Sequence, residues 1–236
     1  MANGDSTMAA HRELTRLASA GIEQYERGDL NAAKDTFAKL KASSRAAANR
    51  LKLQEALMYE GLIHLKQGDS ERALESFKNQ ERLCRDFGLR PFLVTALGNQ
   101  ALILSRSRDM KQAREALHLF EEVETMCREE GDGRMLLKTL MSKGEFLYRH
   151  GGDHAVERGV FKESVEIARR LGAEDDLALA LFSQAECLGF DEASEGLALC
   201  EEAQSLAVKV GSQDLVQRIE ELLGLFRHLA AQADRG

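Results

Sequence analysis

EGLIHLKQGDSERALESF, residues 60–77, decides how this chain folds. Gly61 follows Leu57 by four residues, so the leucine and the glycine share one helical face. Gly68-Asp69 supplies the turn: glycine ends a helix in a left-handed conformation and aspartate caps the next one. Ala73 and Phe77, again four apart, open a second stripe. The stretch therefore spells helix, tight turn, helix, with Gly61 as the point where the second helix comes close.

The same spelling recurs in both directions. Ala48, Gly88, Gly131, Gly172 and Gly211 each close a unit, and 13 residues after each stands another small residue: Gly61, Ala101, Gly144, Ala185 and Gly224. Leucines precede the small residue by four at Leu17/Gly21, Leu97/Ala101, Leu140/Gly144 and Leu181/Ala185. Turns return at Gly28-Asp29, Arg108-Asp109 and Gly152-Asp153, with Phe190-Asp191 in the fifth unit. Second helices carry Ala33 with Phe37 and Ala113 with Leu117. A register kept over a period of about 40 residues means a stack of similar units, each touching its neighbours, rather than one globular core.

Gly61, Gly68-Asp69, Ala73 and Phe77 match the tetratricopeptide repeat in order and spacing, and the chain resembles that family over residues 11 to 211. The resemblance is to the longer-helix subtype of adaptor and regulatory proteins, and residues 78–104 look like tandem repeats of bacterial multidomain proteins. It implies an all-α fold, an α-solenoid forming a right-handed superhelix of about five helix-turn-helix units plus a C-terminal capping helix. The expected layout is a flexible tail over 1–10, then repeats at about 11–48, 49–88, 89–131, 132–172 and 173–211. A capping helix over 212–233 and a tail over 234–236 complete it.

Departures mark the later units. Glu157 and Gly196 stand where the alanine is expected, Cys200 replaces the bulky residue, and the third unit has three extra residues in its second helix. The last helix, about 213 to 233, repeats Leu215, Ile219, Leu222, Phe226 and Leu229 at spacings of three and four. It either caps the array or, since Leu223 and Leu225 widen its apolar arc, forms a homodimer or partner interface.

The resemblance further implies that first helices line a concave wall whose ligand-facing side chains flank the small residue. That assigns a peptide-binding groove to Met58, Leu62, Leu65, Lys66, Asn99, Leu102, Arg106, Met141, Glu145, Tyr148, Arg149 and Phe182. Apolar anchors in units one to three, a cationic rim of Lys66, Arg106 and Arg149, and the acidic pair Glu145 and Glu186 suit a peptide or an amphipathic helix. Asn99 is the position from which relatives hydrogen-bond a peptide backbone. The chaperone-carboxylate clamp of the family is not expected, because Ala18, Ile22, Tyr59 and Thr95 replace its basic and asparagine residues.

Composition narrows the function further. One proline, Pro91, no tryptophan and plentiful Ala, Leu, Glu, Arg and Lys favour helix throughout. With 39 acidic against 32 basic residues the net charge is −7, and no Lys/Arg block gathers on one segment, so a nucleic-acid partner is not expected. No secretory signal opens the chain and no run reaches the roughly 18 apolar residues of a membrane span, which predicts a cytoplasmic protein without a membrane partner. Cys84 and Cys127 occupy the slot filled by Ala168 and Ala207 in later units, so buried, reduced thiols are expected. His150 and His154 flank a turn without an enforced common face, His64 sits in a packed stripe, and neither a metal site nor a cofactor loop is found. No nucleophile–base pair can be nominated, so an enzyme is not expected. The leading function is a protein-interaction scaffold or adaptor. The alternatives are a self-assembling structural element joined through the last helix, and a regulatory sensor of a signalling peptide or small molecule.

Overall fold

A computed structural model of the protein describes residues 2–151, 153–189 and 192–233. Among them are eleven helices and no strand: α1 (Ala2–Glu26), α2 (Leu30–Ala46), α3 (Arg50–Lys66), α4 (Ser70–Phe87), α5 (Arg90–Leu104), α6 (Met110–Glu130), α7 (Gly133–Arg149), α8 (His154–Leu171), α9 (Glu174–Glu186), α10 (Ala193–Val210) and α11 (Gln213–Ala233). Five helix pairs are followed by α11. α1 begins at Ala2, inside the stretch read as a tail. The turn residues Gly152, Phe190 and Asp191, and the tail 234–236, lie outside the described residues.

Local chemistry sets these boundaries. Asp29, Asp69, Asp132 and Asp153 each accept a backbone N–H in the first turn of the helix they cap. The unit-closing residues all have positive φ, from 50° at Ala48 to 77° at Gly211. Glycine adopts that conformation freely, whereas the Cβ of Ala48 costs about 1 kcal/mol there.

The chain divides into two compact halves, residues 1–122 and 123–236, each described on its own. In the first half α1 to α5 pack in sequence and α1 also touches α3. In the second, α7 to α11 pack in sequence and α11 also touches α9. The close approach inferred at the small residue is present in both. A Cβ on Gly61 would stand 2.6 Å from the Phe77 ring, and one on Gly144 would stand 2.6 Å from Phe161. Both rings are buried, each burial contributing about 2 to 3 kcal/mol.

The structure corrects the register at two places. Gly224 is exposed with nothing within 4 Å, so it is not a site of close helix approach as Gly61 and Gly144 are. In the third repeat the buried small and large pair is Ala116 and Phe120, while Leu117 is only half-buried. Counted back from the closing residue, Phe120 matches Phe37, Phe77 and Phe161, so the three extra residues of α6 fall in its first turns.

A second register holds successive repeats together. Ile63 shares a core cluster with Ala33. Thirty residues likewise separate Cys187 from Glu157, whose Sγ and Oε2 lie 4.0 Å apart. At the next such pair the Phe226 ring packs directly onto Gly196. The small alanine slot thus faces a particular residue of the next first helix, and Glu157 and Gly196 fill that slot differently.

Polar pairs repeat as well. Lys41–Glu60, Gln100–Glu81 and Lys143–Glu124, each 19 residues apart at 2.7 to 2.9 Å, tie a first helix to the preceding second helix. Arginines in the last turns of α4, α6 and α8 reach the next second helix through Arg85–Glu122, Arg128–Glu163 and Arg169–Glu202 at 2.6 to 2.8 Å.

α11 buries Leu215, Ile219, Leu223 and Phe226 and leaves Leu225 exposed. Leu223 thus belongs to its core stripe, and Leu222, expected there, is half-buried with Leu229. Among the described residues no helix is long and apolar enough to cross a membrane.

Candidate ligand-binding wall

First helices position the wall. In the first half, α3 holds Met58, Leu62 and Leu65 half-buried and Lys66 exposed. α5 holds Asn99 half-buried and Leu102 41 % exposed, and Arg106 is exposed in the turn that follows it. Leu102 is therefore exposed apolar surface, and Leu62 and Leu65 are partly exposed. Ser105, on the same wall in the sequence, is buried with its hydroxyl donating to the Leu102 carbonyl at 2.9 Å.

An aromatic group underlies this surface. Tyr59 stacks on Phe37 with centroids 4.5 Å apart, and Tyr25 meets Tyr59 edge-on at 5.5 Å. Lys66 Nζ stands 3.9 Å over the Tyr25 ring and donates to the Tyr25 carbonyl at 3.5 Å. The Tyr59 hydroxyl is pushed up by burial, with Glu55, Glu26 and Tyr25 adding to it.

In the second half α7 carries Met141 half-buried, Glu145 and Arg149 exposed and paired at 3.1 Å, and Tyr148 45 % exposed. Phe182 differs from expectation. It is 2 % exposed, and the Arg218 guanidinium of α11 lies 4.6 Å from its ring centroid, so it is packed core and not an open anchor. Arg218 of the final helix, which the sequence reading did not single out, thus covers Phe182.

The start of α8 carries a group that sequence reasoning noted only as an irregularity. Glu157 has 0 % exposure. Its Oε2 meets His154 Nδ1 at 3.1 Å, and its buried Oε1 has no hydrogen-bond partner. Arg158 pairs with Glu192, whose carboxylate also accepts the Gly189 N–H at 3.1 Å. Burial first, then Glu186, Cys187 and Glu157, raise the Tyr148 hydroxyl. Glu186 is raised by burial, opposed by Arg218 and assisted by Glu145. The signal that would have found the group is Glu157 in an alanine slot with Cys187 thirty residues on.

The thiols are inert by environment. Cys84, Cys127, Cys187 and Cys200 are free and buried. Burial pushes Cys187 up to about 12, with Glu157 and Glu186 adding to it, and the other three to about 11. His64 is buried and its pKa lowered by that burial. Among the described residues no three His, Cys, Asp or Glu side chains are placed to hold a metal ion. Clefts of about 530 and 520 Å³ open around Gly131 and Ala48, at repeat-closing turns rather than on the wall.

No family model and no curated protein sequence matches the chain. Solved structures do match. One is a signal-transduction ATPase with a tetratricopeptide repeat sensor from Pyrococcus horikoshii, at 11 % identity, TM-score 0.78, covering 93 % of this chain and 33 % of that one. A thermophilic tetratricopeptide repeat protein from Thermus thermophilus gives 19 % identity, TM-score 0.58, and coverage of 89 % and 98 %. The apo quorum sensor NprR from B. thuringiensis gives 13 % identity, TM-score 0.50, and coverage of 94 % and 66 %. The chain thus spans one third of the length of the first and about two thirds of the third. The fold is that of tetratricopeptide repeats.

Proposed function

We propose that the protein is a non-catalytic binding module that holds a peptide or amphipathic helix against its first helices. The observation that carries it is Leu102, 41 % exposed on α5 with exposed Arg106 four residues on, and Leu62 and Lys66 in the equivalent places on α3. Apolar anchors of this kind supply affinity, and the cations set register and partner choice. Two proteins of the same fold, described as a repeat sensor and a quorum sensor, support a regulatory setting.

The test uses peptides selected from a display library on the parent protein. Replacing Leu62 and Leu102 together by Ser should weaken them by on the order of a hundredfold. Arg106→Glu should act mainly on association rate and salt dependence. Circular dichroism confirms that each variant is folded. Folded variants that bind as tightly as the parent would end the proposal.

A second function, self-association through α11, is favoured by exposed Leu225 beside Gly224, which has no neighbour within 4 Å. Light scattering on Leu225→Glu tests it: a parent dimer that the substitution dissociates supports it, and a monomeric parent removes it.

A further inference from the structure

Clefts recur at the repeat-closing turns, and one position distinguishes them. It lies two residues after the closing residue, at Arg50, Gly133 and Glu174, in register with Phe87, Leu171 and Val210, each of which precedes the next closing glycine. In the first half the Arg50 guanidinium lies 3.9 Å over the Phe87 ring. In the second half Glu174 is drawn to Lys209 at 2.5 Å, and the cleft of about 320 Å³ beside it carries Asp175 and Asp214 with Arg218. Gly133 brings no side chain to its cleft of about 530 Å³.

Nothing in the backbone asks for glycine at 133. Its φ is not positive, and a Cβ there would stand 3.7 Å from the nearest atom, a Leu171 methyl, which is ordinary contact. An ordinary residue would suit a helix at least as well. What the glycine preserves is the space over Leu171, which is 40 % exposed.

Inside the cleft Leu136 and Ile167 form a buried apolar floor, and Arg128 and Arg170 edge it. Among the described residues no acid lines it. The Arg128 charge is already answered by Glu124 and Glu163 at 2.6 to 2.9 Å. Arg170, in the last turn of α8, is exposed and has no ion-pair partner among the described residues. The side chains around the cleft thus offer guanidinium donors and no strong acceptor. That suits a carboxylate and leaves the amide N–H of a peptide terminus unmatched.

We propose that the cleft beside Gly133 is a binding site for a free aliphatic carboxylate, with its chain on Leu136, Ile167 and Leu171 and its head on Arg170. An apolar floor with one charged group to fix orientation is the usual make-up of a small-molecule site. The site is separate from the peptide-binding function above and does not depend on it.

The experiment titrates octanoate into the full chain and follows the Ile167 methyl signals by NMR, assigned through Ile167→Val. Octan-1-ol, which keeps the chain and lacks the charge, is the control, and Ile63 in the first half is the reference that should not move. N-acetyl-leucine represents the carboxyl end of a peptide. Octanoate should shift Ile167 and bind about tenfold more tightly than the alcohol. Arg170→Gln should remove that difference. Gly133→Leu should abolish binding by filling the space over Leu171, and Arg170→Gln, at an exposed side chain, carries the test if Gly133→Leu does not fold. An Ile167 signal that ignores octanoate, equal binding of the alcohol, or undiminished binding by the folded variants overturns the proposal. So does tighter binding of N-acetyl-leucine, which would assign the cleft to a peptide terminus instead.

Discussion

Ala33 with Ile63 in the first half and Glu157 with Cys187 in the second occupy the same register, and they solve one packing problem in opposite ways. In the first, a small residue on the second helix receives a large apolar one from the next first helix. In the second, the large residue sits on the second helix and the partner has shrunk to a thiol. Space is filled in both cases. Chemistry is not equivalent, because the carboxylate brings a buried oxygen without a partner. The repeat therefore constrains the sum of the pair more tightly than either member, which leaves room for a functional group at one interface.

The largest test of this comparison is at the feature that both halves share. Gly61→Leu and Gly144→Leu should each destabilise by about 3 kcal/mol, since even a Cβ would press on Phe77 or Phe161. Gly224→Leu, with open space around it, should stay within about 0.5 kcal/mol of the parent in urea unfolding. Equal losses at all three would show that the close approach is not what the glycines serve.

Next in size is the swapped pair. Cys187→Ile alone should cost about 2 kcal/mol by overpacking against Glu157. Combined with Glu157→Ala it recreates the Ala33 and Ile63 arrangement, and the double variant should be at least as stable as the parent, with a coupling of about 2 kcal/mol. Strictly additive effects would mean that the two side chains do not share one space.

A smaller effect belongs to pH. All four thiols have folded values raised above the ordinary 9.0, to about 11 or about 12. Their contribution to stability is fully present below pH 9.0 and is lost as the pH climbs through about 11 to about 12. Cys187→Ala in the second half should flatten the upper end of that decline, near pH 12, more than Cys84→Ala in the first. Native labelling by a thiol reagent should be slow for both parent cysteines and fast in denaturant.

The smallest effect is at the surface. Glu122→Gln in the first half and Glu163→Gln in the second each remove one arginine clamp and should cost about 0.5 kcal/mol, with the difference vanishing in high salt.

The sequence made the helix pairs legible because glycine at positive φ and close small-to-large contacts leave one-letter signatures at fixed offsets. Counting from the turn, however, assigned Ala113 and Leu117 to the third repeat. Counting from the closing residue would have found Ala116 and Phe120, since extra residues in a helix can enter at its start. Exposure was legible where one helix decides it, as at Leu102 and Lys66. It was not legible at Phe182, because burial there depends on Arg218, which comes from another helix and lies far along the chain. Glu157 was visible as a break in the alanine slot, and only its spatial partner Cys187 shows that the break is compensated.

Ala48 has a further consequence. It holds φ at 50° with a side chain, whereas the other repeat-closing turns use glycine. The strain at this turn lowers the cost of separating α1 and α2 from α3 relative to separation at a glycine turn. Hydrogen exchange should therefore show α1 and α2 opening together, hinged at Ala48, while α3 to α5 remain protected.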